Sequence, residues 1–171
     1  MEAKSSSMER RRPVRLWRLV FAANVVSIMT ATAQQLTLDS VALKLGAPDA
    51  AAVQQLRNKY NVQRIDGGWS IQPIEHGPTK PGIGVRTVDG RIQSVSFTWG
   101  PGFTPTAEEI ADQLAQALPS GVRCEVRNVS RGQEGGTVRT LEWLCGTYKV
   151  RFQSGVWPQG GNSVTISVEK N

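Results

Sequence analysis

The chain has only two cysteines, Cys124 and Cys145, and they stand at the outer ends of two runs that read as one β-hairpin. Residues 122–129 and 138–144 flank a polar, glycine-rich turn at 131–136. Centring that turn between Glu134 and Gly135 sets Cys124 opposite Cys145, Val126 opposite Trp143 and Arg127 opposite Glu142. The two thiols meet, an aromatic side chain meets a β-branched one, and opposite charges meet, each a favourable cross-strand arrangement. One register satisfies all three, so the spacing predicts a hairpin stapled by a disulfide. Such a bond needs an oxidising compartment.

The N-terminus supplies an export signal. Lys4, Arg10, Arg11, Arg12, Arg15 and Arg18 stand against only Glu2 and Glu9, and an apolar run follows over 19–29. Ala31, Thr32 and Ala33 then place small residues at the −3 and −1 positions of a cut before Gln34. Positive region, short apolar region and A-x-A site together read as a secretory signal. The run is shorter than the ~20 residues a spanning helix needs, so no stable membrane span is expected after cleavage. Pro13 after Arg11-Arg12 favours the general secretory route over the twin-arginine one, and no cysteine follows the cut to carry a lipid. Residues 1–33 are therefore expected to be a cleavable signal and residues 34–171 a single domain, periplasmic or secreted.

Export changes the charge argument. The whole chain carries 20 Lys+Arg against 14 Asp+Glu, a formal +6. Losing residues 1–33 removes six basic and two acidic side chains and leaves 14 against 12, a net of +2. The basic excess that would suggest a nucleic-acid partner leaves with the signal, and no nucleic-acid partner is expected.

Along the rest of the chain, residues 37–45 read as a short helix, capped by Thr37, with Leu38, Val41 and Leu45 on one face and Gly46 as its stop. Pro48 opens a second helix reaching Tyr60, with Ala52, Val53 and Leu56 in its apolar stripe. Trp69, Ser70 and Ile71 form a strand after the Asp66-Gly67-Gly68 turn, and the proline-rich stretch 73–82 is a loop. Asp89-Gly90 lies between the alternating runs 85–88 and 91–99, a strong hairpin signal. Thr106 with Glu109 spells a capping box before a helix striped by Ile110, Ala111, Leu114, Ala117 and Leu118. A last pair of strands, 148–153 and 163–169, flanks the turn-rich 154–162. The predicted order is α-α-β-β-β-α-β-β-β-β, an α+β two-layer sandwich with helices on one face of a mostly antiparallel sheet.

Residues 36–48 read L-T-L-D-S-V-A-L-K-L-G-A-P. This resembles the opening of small envelope modules of the SmpA/OmlA and β-lactamase-inhibitor-protein-like type, and the hairpin around Asp89-Gly90-Arg91 is similar too. The resemblance covers about a quarter of 34–171, and the long central helix and four following strands depart from it. It implies a capped first helix and a protein-binding envelope module, and it carries no binding residue over to this chain.

Catalytic machinery is sparse. His76 is the only histidine, so a histidine triad or a His-rich metal site is hard to build. The two cysteines are committed to each other, and no P-loop or dinucleotide fingerprint is present. No cofactor and no metal site are expected. Glu75, His76 and Asp66 are the candidates for a small carboxylate-dependent hydrolase, although each reads first as a turn or loop residue. Glu108, Glu109 and Asp112 read as a solvated helix start. Trp99 and Trp143 fall in phase with apolar strand positions and read as core. Trp157, in a turn-rich stretch, and Trp69, at a strand edge, are the expected anchors for a protein or glycan partner. The expectation is a non-catalytic binding module of the bacterial envelope or secretome, with a small hydrolase or a purely structural envelope component as alternatives.

Overall fold

The computed structural model describes residues 34–74, 80–100, 104–133, 136–157 and 161–171. Its first surprise is at residues 35–44. Where a helix was expected, β1 (Gln35–Leu38) and β2 (Val41–Lys44) form a hairpin. Asp39 and Ser40 turn it with φ of 45° and 70°. Leu36, Leu38, Leu43 and Leu45 are all buried, and Leu36 pairs with Leu43. The segment thus has two apolar periods. Leu38, Val41 and Leu45 fit a helix, but a helix would strand Leu36 and Leu43 on other faces. The hairpin puts all four leucines on one side.

Helix α1 (Asp49–Leu56) follows Pro48 as expected, but it is shorter. Tyr60, placed on that helix by its spacing, instead begins β3 (Tyr60–Ile65). β3 pairs with β4 (Gly68–Pro73) across Asp66-Gly67. The strand was hidden because it lacks clean alternation, with Arg64 on the side shared by Tyr60 and Val62. β5 (Gly82–Val88) and β6 (Arg91–Trp99) form the expected hairpin, and Asp89 and Gly90 take φ of 51° and 68°. Helix α2 (Ala107–Ala117) begins with the expected capping box. The Glu109 N–H donates to Thr106 Oγ1 at 3.1 Å, and the Thr106 N–H donates to Glu109 Oε2 at 2.7 Å.

Four long strands complete the chain: β7 (Glu125–Gln133), β8 (Gly136–Cys145), β9 (Tyr148–Trp157) and β10 (Gly161–Lys170). The β7–β8 register sets Val126 opposite Trp143 and Arg127 opposite Glu142, as the sequence predicts. Cys124 and Cys145 are disulfide-bonded, with Cα atoms 4.4 Å apart. The turn residues Glu134 and Gly135, like residues 1–33, where a signal was expected, lie outside the described residues.

Among the described residues the order is therefore β-β-α-β-β-β-β-α-β-β-β-β. An eight-stranded antiparallel sheet runs β3-β4-β5-β6-β10-β9-β8-β7, and β1-β2 makes a separate two-stranded sheet. This is a mostly antiparallel β fold, and the expected α+β sandwich of helices packed on a sheet does not form. The correction has a physical cause. Two helices of 8 and 11 residues are too short to cover a sheet this wide, and the leucine-rich hairpin supplies apolar cover beside them. Tyr60, Ile71, Ile83, Phe97 and Ile166 form the buried side of the sheet together with Leu36 and Leu43. Its other side is polar. No helix among the described residues is long and apolar enough to cross a membrane.

One glycine is fixed by close approach. A Cβ at Gly68 would lie 1.9 Å from the Val85 carbonyl oxygen and 2.9 Å from its carbon. Both are main-chain atoms, so the β4–β5 backbone would have to part. Gly68→Ala is expected to lower stability by about 2–3 kcal/mol, read as an earlier urea midpoint. An unchanged midpoint would show that the strands part freely there.

Candidate functional site

Trp69 and Trp157, the expected anchors, sit on opposite sides of the sheet. In the order β4-β5-β6-β10-β9 their strands are four steps apart, about 19 Å at the usual strand spacing. They do not form one patch.

Trp69 shares the inner side of β4 with Ile71. Its Nε1–H donates to Asp49 Oδ2 at 2.8 Å, and Asp49, the first residue of α1, is only 7 % exposed. The Arg64 guanidinium lies 4.6 Å from the ring centroid and reaches the same carboxylate oxygen at 3.4 Å, while Arg57 lies 5.9 Å from the ring. The ring is thus held between helix and sheet with cations over it, each such contact contributing about 0.5–1 kcal/mol. Trp69 clamps α1 to β4.

Trp157 lies on the outer side, at the end of β9, and is half-buried. Its Nε1–H donates to Ser163 Oγ at 3.2 Å across the strand pair. Its indole fills the space that side chains would take at two glycines. A Cβ at Gly136 would meet the ring at 2.9 Å (Cε3), and one at Gly155 would meet it at 3.2 Å (Nε1). The ring is therefore laid over the sheet, seated on backbone, and fixed by one hydrogen bond. Trp99 is buried edge-on to Phe97, with centroids 6.3 Å apart, and Trp143 packs against the core. Trp99 is in the core as expected, and Trp143 is partly buried against it.

The outer face beyond Trp157 and Val138 carries mostly hydroxyls, amides and glycines. Pairing places Gly82, Thr98, Thr165, Gln153 and Thr140 in one row across five strands. Thr98 and Thr165 share a hydrogen bond of 3.2 Å, and Gln153 Nε2 donates to Thr140 Oγ1 at 3.2 Å. Where the row reaches β4–β6, a shallow groove of about 500 Å3 opens along Ser70, Gln72, Gly82, Gly84, Ser96 and Thr98. Along β9, Trp157 stands four residues beyond Gln153, about 13 Å at the rise of a strand. Toward the other end of the same face the side chains become charged. Arg151 Nε bonds Glu142 Oε1 at 2.8 Å, and Lys149 pairs with Glu169. The row escaped sequence reading because the β6–β10 pairing joins residues far apart in the chain.

A second cavity, of about 360 Å3, lies between the β1–β2 turn and α2, lined in part by Tyr60, Asp39, Lys80, Trp99, Asp112 and Gln113. Two of its three carboxylates, Asp39 and Glu109, hold the fold. Asp39 accepts from the Tyr60 hydroxyl at 3.1 Å and pairs with Lys59 at 3.8 Å and Lys80 at 3.9 Å. Glu109, also on its wall, closes the capping box. Burial pushes the Tyr60 phenol above its ordinary pKa, and the hydrogen bond and charge of Asp39 push the same way. The folded chain keeps this proton where the unfolded chain loses it. The stability it supplies is therefore complete below the ordinary tyrosine pKa of ~10 and falls as pH rises past it. Tyr60→Phe should remove that component of the alkaline loss, and matched denaturant midpoints at pH ~9 and ~11 test it.

Of the hydrolase candidates, only Asp66 lies among the described residues. Asp66 is exposed at the β3–β4 turn, and Glu75 and His76 lie outside the described residues. Among the described residues no group of three or more His, Cys, Asp or Glu side chains is placed to hold a metal ion. No family model, no curated protein and no solved structure matches this chain.

Proposed function

We propose that the protein is an exported, non-catalytic glycan-binding module that uses the outer face of its sheet, with Trp157 as the stacking platform. The observation that carries this reading is the indole of Trp157, seated over Gly136 and Gly155 and held by Ser163. A flat, half-exposed ring whose only polar atom is already bonded presents an apolar surface, which suits the C–H face of a sugar. The hydroxyl and amide row about 13 Å away suits sugar hydroxyls, since it donates and accepts without charge. Export supports the reading because glycans are abundant outside the cytoplasm. The disulfide is compatible with export, and the charged region, apolar run and small-residue site over 1–33 support a cleaved signal.

The test is sedimentation of the purified protein with insoluble peptidoglycan, chitin and cellulose. Binding to at least one is expected, and Trp157→Ala should weaken it about tenfold, equivalent to roughly 1.4 kcal/mol, with an unchanged circular dichroism spectrum. No binding to any of the three, or an unaffected variant, would sink the reading. Cross-linking to an envelope protein through this face would favour instead the protein-binding role implied by the SmpA/OmlA-type resemblance.

A further inference from the structure

We propose that the mature chain begins with a pyroglutamate made from Gln34. The proposal rests on the export reading, with cleavage between Ala33 and Gln34. Gln34 is 1 % exposed, and its side-chain Nε2 and Oε1 are the buried side-chain polar atoms that find no hydrogen-bond partner among the described residues. A buried, unsatisfied amide is rare and costly, because it gives up water for nothing. Its place in the fold explains the burial. Gln34 extends β1 by one residue, its carbonyl accepting from the Leu45 N–H at 3.0 Å. Its side chain falls in phase with the buried Leu36 and Leu38.

Cleavage makes the linear form worse. A new α-amine appears at this buried position, and near neutral pH it is mostly an ammonium, costly to bury without a partner. Cyclisation removes the charge and the side-chain NH2 group. The neutral amine nitrogen attacks Cδ of its own side chain, the new C–N bond closes a five-membered lactam, the Cδ–Nε2 bond breaks, and Nε2 leaves as ammonia. The step is intramolecular, with no oxidant, reductant or co-reactant. The lactam keeps one N–H and one ring carbonyl, carries no charge, and leaves intact the main-chain carbonyl that Leu45 uses. The result is a compact, neutral end on the core side of the hairpin, without the free amine that aminopeptidases require.

Mass spectrometry tests this on protein exported from the full-length chain and purified from periplasm or culture fluid. The N-terminal peptide is expected to start at residue 34, to be lighter by one ammonia than its linear form, and to be shortened by pyroglutamyl aminopeptidase. A start at Gln34 with a free amine overturns the proposal and leaves the export reading standing. Any other start, or retention of residues 1–33, overturns the proposal together with the expected cut between Ala33 and Gln34. Gln34→Asn provides a second readout, since its shorter side chain cannot close a five-membered lactam. That variant should keep a free amine and melt several degrees below the wild type. Equal melting would overturn the claim that the neutral ring suits the buried position better than an open amide with a free amine.

Discussion

Phe97→Ala should lower the stability of the fold by about 3–5 kcal/mol, the range for emptying a large buried aromatic site. Phe97 is 1 % exposed in the second half of β6. It pairs with Ile83 on one side and Ile166 on the other, and it lies edge-on to Trp99. The site has little freedom to collapse, because its neighbours belong to three paired strands whose positions are set by their backbone ladders. Position also magnifies the effect. β6 and β10 join the β3–β6 half of the sheet to the β7–β10 half, and Phe97–Ile166 is a central rung of that junction. Against a typical total of ~5–15 kcal/mol, such a loss leaves little margin. Urea denaturation followed by tryptophan fluorescence measures it. A loss below about 1 kcal/mol would mean that the junction is not part of the cooperative core.

Replacing both cysteines, Cys124→Ser with Cys145→Ser, should cost about 3 kcal/mol by the loop-closure argument. The closed loop spans a sequence separation of 21, and that length sets the estimate. For a domain of this size the loss corresponds to a fall in melting temperature of about 10 °C. The bond ties the chain just before β7 to the end of β8, and β7 is the outermost strand of the sheet. Edge strands have a neighbour on one side only, so an unstapled β7 is expected to fray first. Wild-type protein treated with reductant should match the double variant. A double variant as stable as the oxidised wild type would place the staple outside the cooperative unit.

The two predictions rest on parts of the molecule that differed in how far they could be read from sequence. The hairpin of β7 and β8 was legible down to its register, because the constraint is local. One turn, two cysteines and a charge pair fix every rung. The capping box of α2 and the Asp89-Gly90 turn were legible for the same reason. The β6–β10 junction was not. Thr98 and Thr165 lie 67 residues apart, and nothing in either strand's alternation names the other as its neighbour. Alternation says which side chains share a face. The partner strand is chosen by which pairing buries those faces together after a long loop has closed.

The candidate site divides in the same way. Trp157 was singled out by its glycine-rich setting, and one of those glycines, Gly155, forms the seat of its ring together with Gly136 of β8. Trp69 was singled out by its place at a strand edge, but whether its ring met solvent or Asp49 depended on where α1 came to rest. The threonine and glutamine row beside Trp157 exists only because four strand pairings bring it into line. Residues 35–44 show the limit most plainly. Their leucines satisfy a period of two and, in part, a period of 3.6, so the local pattern admits both strand and helix. Local pattern set the Asp66-Gly67 and Asp89-Gly90 turns, the α2 capping box and the Cys124–Cys145 bond. That the leucine segment is a hairpin and that β6 meets β10 was settled at the tertiary level. Both choices depend on burying surfaces supplied by distant parts of the chain, and burial is a property of the whole assembly rather than of any one segment.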